Sequence, residues 1–186
     1  MTDWVDPHEA IPGLRGTAVH VLPARREAEV KKALAKEGFA VHVLEGQSVA
    51  DEASFFRQIT RAFRLPPHFG KNWDALRDVL GDLADGNSRQ VALLWRDVDQ
   101  SLSADAQTVL DALLAFSRAA EDLGAEQPAT QLEVFLLGEG PAFAGRPSDQ
   151  GNRPPALGGR PPNQEAGPPV GSGGRRGEGR RRPPSR

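Results

Sequence analysis

The chain reads as an α/β layer protein, a small and mainly parallel sheet with helices packed on it. Three observations carry that expectation. Short runs rich in β-branched and large apolar residues, at 18–22, 40–44, 90–95 and 132–137, read as buried strands. Between them lie longer stretches whose apolar residues recur three and four apart, the spacing of a helix face. The run "AVHVL" also occurs twice, at 18–22 and 40–44, on either side of a charged, helix-favouring segment, as in a strand–helix–strand step. Strand order is not legible from this pattern.

Each helix has its own signals. "PARREAEVKKALAKEGF" ends at Gly38, where a left-handed C-cap fits. "SVAD" at 48–51 fits a Ser-x-x-Asp helix start, after which Phe55, Phe56, Ile59 and Phe63 recur at helical spacing. Pro66 and Pro67 stop that segment, because the residue before a proline is pushed away from helical geometry. The next helix is expected from Asn72 to Leu83. Asn72 suits an N-cap, since its side-chain oxygen can accept from a free N–H of the first turn. Trp73, Leu76, Val79, Leu80 and Leu83 fall on one core-facing stripe. Ser103 is expected to open a long helix whose buried face is Ala106, Val109, Leu110, Leu113, Phe116 and Ala120, stopping near Gly124.

Composition divides the chain in three: an N-terminal arm at 1–16, a folded domain at 17–144 and a tail at 145–186. The net charge of −2 conceals a split, because the tail has nine Arg against three acids and the first 144 residues have 14 basic and 22 acidic side chains. The domain therefore carries −8 and the tail +6. The tail also holds nine of the 16 Pro and ten of the 20 Gly, so it lacks the apolar surface needed to offset ordering entropy and is expected to be disordered. With no Cys there is neither a disulfide framework nor a thiolate metal site. No apolar run reaches the roughly 18 residues of a membrane helix, and "MTDWVDPHEAIPG" has no signal-peptide pattern, so a soluble cytoplasmic protein is expected.

The feature that needs explaining is the other side of the helix at 72–83. Asp74, Asp78 and Asp82 stand one turn apart there, with Arg77 at the edge. Asp74 suits the positive end of the helix dipole. Asp78 has poor helix propensity and a like-charged neighbour on each side, which destabilises a helix by a few tenths of a kcal/mol per pair, on the order of 0.2–0.5. A solvated helix face accounts for Asp74 alone; Asp78 is harder to dismiss.

The segment "LPPHFGKNWDALRDVL" at 65–80 resembles the inhibitory loop and helix of the barstar family of ribonuclease inhibitors. Pro66, Phe69, Gly70, Asn72, Trp73, Asp74, Ala75, Leu76, Asp78 and Leu80 meet that family's pattern, ten positions within fifteen residues. The resemblance extends over roughly 40–138 and includes "ALLW" at 92–95 and the long helix with its following strand. Residues 17–38 look like an extra N-terminal strand–helix unit, and the tail lies outside the resemblance. The family implies a barstar-like layered fold and a protein that blocks a cationic nuclease cleft, its carboxylates standing where RNA phosphates would. Carried over residue by residue, Asp78 is the phosphate mimic and Asp74 meets a second cation. Gly70 and Asn72 let the loop backbone approach closely, Phe69 belongs to the contact loop, and Trp73 covers apolar surface at the rim. The implied partner is a secreted basic ribonuclease or related toxin, with no cofactor, metal or membrane involved. Departures are His68 where the family often has an aromatic, Arg77 in place of a large aromatic, and Leu83 where the prototype has Trp. The family's glutamate on the long helix aligns with Ala115 or Ala119, with Glu121 a possible substitute.

Other functions have weaker support. His20 and His42 would sit side by side if their strands were neighbours, but catalytic zinc takes three protein ligands and no third is spaced to join them; strand-surface histidines are the expectation. Asp97, Asp99 and Asp105 follow the strand that ends at Trp95, where loop polarity and helix capping explain them. No nucleophile–base pair or phosphate-cradling glycine loop is visible, so catalysis is not expected. The tail "GGRRGEGRRRPPSR" could bind RNA, although it has no aromatic for stacking and the domain's acidity opposes it. A barstar-like module for a partner other than a nuclease is the third alternative.

Overall fold

The computed structural model describes residues 4–14, 16–85, 88–126 and 129–144. In chain order the elements are α1 (Pro7–Ala10), β1 (Val19–Pro23), α2 (Glu27–Lys36), β2 (Ala40–Glu45), α3 (Glu52–Phe63), α4 (Trp73–Gly81), β3 (Gln90–Arg96), α5 (Val98–Ala104), α6 (Ala106–Ala125) and β4 (Gln131–Gly138). The four strands form one wholly parallel sheet in the order β1-β4-β3-β2. The two "AVHVL" strands are therefore opposite edges of the sheet rather than neighbours. The reason lies in their composition. β4 is buried along its whole length and β3 along five of its seven residues, so both need covering on two faces, whereas β2 is mostly half-buried and tolerates an edge.

Two cores follow, one on each face. α1 and α2 close Ile11, Leu14, Leu22, Val30, Leu34 and Phe39 over Ala92, Leu94, Phe135 and Leu137. On the other face α3, α4 and α6 bring Phe55, Phe56, Leu76, Leu80 and Phe116 onto Leu93, Trp95, Val134 and Leu136. Within the expected N-terminal arm, residues 4–14 pack against the rest of the fold. Ile11 is fully buried, and the backbone of Val5 donates to Gln131 Oε1 at 3.2 Å and accepts from Gln131 Nε2 at 2.7 Å.

Several sequence expectations need correction. His20 and His42 lie on opposite edge strands, and His20 is fully buried instead of sitting on the strand surface. Its Nε2 lies 2.7 Å from Glu133 Oε2, and its ring stacks on Phe135 with centroids 4.8 Å apart. A buried carboxylate on β4 needs a polar partner, and the edge-strand imidazole provides one. His42 Nδ1 is 2.9 Å from the Ala62 carbonyl. Among the described residues no group of three or more His, Cys, Asp or Glu is placed to hold a metal. The third helix is capped by Asp51, not Ser48: Asp51 Oδ1 accepts from Ser54 N at 2.7 Å while Ser54 Oγ accepts from Asp51 N at 2.9 Å. The long helix starts after Asp105, and 98–104 is a separate short helix, α5. Leu110, expected in the core, is 58% exposed, because the buried face of α6 runs through Thr108, Val109, Ala112, Ala115, Phe116, Ala119 and Leu123. No helix among the described residues is long and apolar enough to cross a membrane. The expected tail, 145–186, lies outside the described residues.

Candidate functional site

The loop between α3 and α4 is a chain of tight local choices. Arg64 ends α3 in the left-handed region at φ 54°, and Leu65 N donates back to the Thr60 carbonyl at 2.9 Å. A turn follows, with Phe69 N donating to the Pro66 carbonyl at 3.0 Å. Phe69 is buried and packs at 6.1 Å from the Phe56 ring, so it props the loop from behind rather than facing outward as a contact residue. His68, just before it, is exposed. At Gly70 a side chain would be crowded: an added Cβ would lie 3.2 Å from both Ala75 Cβ and Asn72 Nδ2, so those side chains would have to give by a few tenths of an ångström. Lys71 takes φ 48°, a conformation that costs a non-glycine residue on the order of 1–2 kcal/mol. Asn72 then caps α4, its Oδ1 accepting from Ala75 N at 2.8 Å and its Nδ2 donating to the Gly70 carbonyl at 3.3 Å.

α4 is anchored by one face. Leu76 and Leu80 are buried, and Trp73, Val79 and Leu83 pack against the same core, as their spacing implies. Trp73 stacks on Phe55 with centroids 5.3 Å apart, and Phe55 in turn lies 5.6 Å from Trp95 on β3. A ladder of rings thus ties the start of α4 to the centre of the sheet. The Trp73 Nε1–H donates to Glu52 Oε2 at 3.1 Å, which fixes the ring's rotation.

The outward face carries the charges. Asp74, Asp78 and Asp82 are all exposed. The side chain of Asp78 makes no hydrogen bond or ion pair with any described residue, and neither does that of Asp82. Asp74 differs: Arg77, one turn on, donates to its Oδ1. Both partners are well exposed, so the pair is worth about 0–1 kcal/mol and a competing cation can displace it. The open carboxylates are therefore Asp78 and Asp82, with Asp74 held in reserve by Arg77.

α6 lies alongside α4 and contributes a second wall. Ala115 and Ala119, the positions aligned with the family's glutamate, are buried in the same core cluster as Leu76 and Leu80 of α4. Glu121, the possible substitute, is exposed and lines a hollow with Trp4, Asp6 and His8. In the groove with Trp73 and Arg77, α6 places Asp111, Leu114, Ala115 and Arg118, so an acid and a cation both stand there. Sequence reasoning missed Arg118, the left-handed Lys71 and the Glu52 that holds Trp73. Arg118 is legible only once the phase of α6 is set by Phe116; Lys71 had no signal, because Gly70 beside it was the obvious place for conformational freedom.

A family model described as Barstar (barnase inhibitor) matches residues 39–136, which contains the whole loop, α4, β3 and α6. No curated protein matches. Among solved structures, a chain of the Aeropyrum pernix ORC2 protein, from its ADPNP–ADP complexes, is similar over 60% of this chain at 18% identity with a TM-score of 0.43. The similarity spans 29% of that longer chain.

Proposed function

This chain belongs to the Barstar (barnase inhibitor) family, and from that membership we propose that it inhibits a ribonuclease by placing Asp78 where the enzyme would hold a phosphate of RNA. The observation that supports the reading most is the state of Asp78: an exposed carboxylate without a side-chain partner among the described residues, in the middle of a helix locked to the core by Leu76, Leu80 and the Trp73–Phe55–Trp95 ladder. A rigid backing matters because a side chain already in place loses less entropy on binding. The loop supports the same role. Gly70 presents bare backbone beside the acidic face, and Asn72 spends its side chain on fixing the turn.

A nuclease cleft that binds a polyanion is lined by cations. Asp78 would pair with them directly, and Asp74 would exchange Arg77 for a cation of the partner. The net charge of −8 over residues 1–144 draws a basic enzyme in at long range. The partner in this reading is a secreted basic ribonuclease or related toxin, met in the cytoplasm, and the chain itself catalyses nothing.

The test is a titration of the full chain into barnase, or into a secreted ribonuclease from the same source, with RNA cleavage as the readout. Cleavage falls to zero at one equivalent, and Asp78→Ala loses most of the inhibition. Full cleavage at several equivalents, or an Asp78→Ala variant as potent as the parent, contradicts the proposal. Binding without inhibition points instead to a barstar-like module for another partner.

A further inference from the structure

Beside the acidic face runs a groove whose chemistry is opposite. It lies between α4 and α6, has a volume of about 250 Å³, and is lined by Trp73, Arg77, Asp111, Leu114, Ala115 and Arg118. Arg118 is exposed, and its side chain makes no hydrogen bond or ion pair with a described residue. Arg77 is committed only to the displaceable Asp74. The one acid of the groove, Asp111, accepts two bonds from the Gln107 amide, at 3.0 and 3.1 Å. Leu114 is 51% exposed, and Leu110, one turn before it on α6, is 58% exposed. Neighbouring large apolar side chains left open to water, rimmed by charge, mark a contact surface more often than scattered single ones do.

We propose that this groove receives a loop of the inhibited protein that carries a carboxylate next to an apolar side chain, the carboxylate bridging Arg77 and Arg118 and the apolar group covering Leu114 and Trp73. The inference rests on the inhibitor reading, and it alters what the partner must look like. A uniformly cationic partner would be attracted by Asp78 and repelled a turn away by two guanidiniums. A partner whose basic cleft has an acidic shoulder satisfies both halves of the surface. Guanidinium groups suit this role because their planar forks bind carboxylates in bidentate fashion and tolerate partial desolvation against aromatic faces. An RNA phosphate could meet the same two arginines, but the acidic row on α4 and the charge of −8 oppose a polyanion along this face. Selectivity follows from the arrangement: the acidic row recruits basic nucleases in general, and the arginine pair rejects those without an acid at the matching place.

The experiment measures inhibition constants of the full chain against a panel of secreted microbial ribonucleases, for the parent, Arg118→Glu, Arg77→Glu and Asp78→Ala. For the enzyme inhibited best, Arg118→Glu and Arg77→Glu each weaken inhibition tenfold or more, Arg118→Glu with unchanged thermal unfolding. Changing the facing carboxylate of that enzyme to Lys restores potency to Arg118→Glu. Undiminished or improved inhibition by Arg118→Glu, while Asp78→Ala still fails, overturns the groove proposal and leaves the inhibitor reading standing. A parent chain that inhibits no member of the panel removes both. RNA binding by the isolated full chain that is lost in Arg118→Glu overturns the groove's assignment to a protein carboxylate.

Discussion

Asp78 sits mid-helix, one turn from Asp74 on one side and Asp82 on the other, and nothing within the described part of the molecule compensates its charge. Replacing it by Ala removes two like-charge contacts and supplies the best helix former. The expected gain is about 0.5–1 kcal/mol, read as a higher urea midpoint with an unchanged slope. The same substitution should cost far more in binding; close charge pairs at the barnase–barstar interface, in this same family, couple by about 1.5–7 kcal/mol. A variant that is more stable and less inhibitory separates function from folding at one position; lower stability on Asp78→Ala would mean the carboxylate has a structural task. Asp78 was legible in the sequence because an acid at that spacing breaks a local rule. Phe69 was not, since one residue pattern serves both an outward contact and an inward prop, and only packing against Phe56 decides. His20 and Glu133 were illegible for a similar reason: their partnership depends on β1 pairing with β4, a contact 113 residues apart.

Caps locate the helices that place these residues, and capping groups were only partly readable. Asn72 and the apolar stripe gave α4 to within two residues, because a strong cap and a regular period agree. Ser103 was the expected start of the long helix; the structure starts α6 after Asp105 instead, whose partner three residues on was present in the sequence. Thr108 donates to it from both hydroxyl, at 2.7 Å to Oδ2, and backbone N–H, at 3.1 Å to Oδ1. Those two bonds, the hydroxyl's first, hold the Asp105 carboxyl below its ordinary value. A depressed folded value means the contribution is complete above the unfolded carboxyl pKa, about 3.9, and disappears as pH falls through the folded one. Asp105→Asn should therefore flatten the dependence of stability on pH below about 4, while leaving the curve's shape above pH 5 unaltered; thermal unfolding across pH 2–6 measures it. An acid limb as steep as the parent's would show that the cap does not titrate as its bonds imply.

At the scale of the molecule the sheet is a mount. Its two central strands, β3 and β4, are covered on both faces, and the face built by α3, α4 and α6 carries the loop, the acidic row and the arginine groove together. The residues before the family match supply the fourth strand and the opposite cover, and so complete the support of the sheet. The number of strands, their parallel setting and the helices between them could be read from hydrophobic period. Strand order could not, because local pattern does not record which strand pairs with which. The central claim, that Asp78 takes the place of an RNA phosphate, is tested most directly by competition. Binding of the full chain to its ribonuclease should be followed while a nucleotide monophosphate that occupies the enzyme's phosphate site is raised. The account requires mutual exclusion, the apparent dissociation constant climbing in proportion to nucleotide, and Asp78→Ala losing that dependence. A ternary complex of chain, nuclease and nucleotide at undiminished affinity would contradict it.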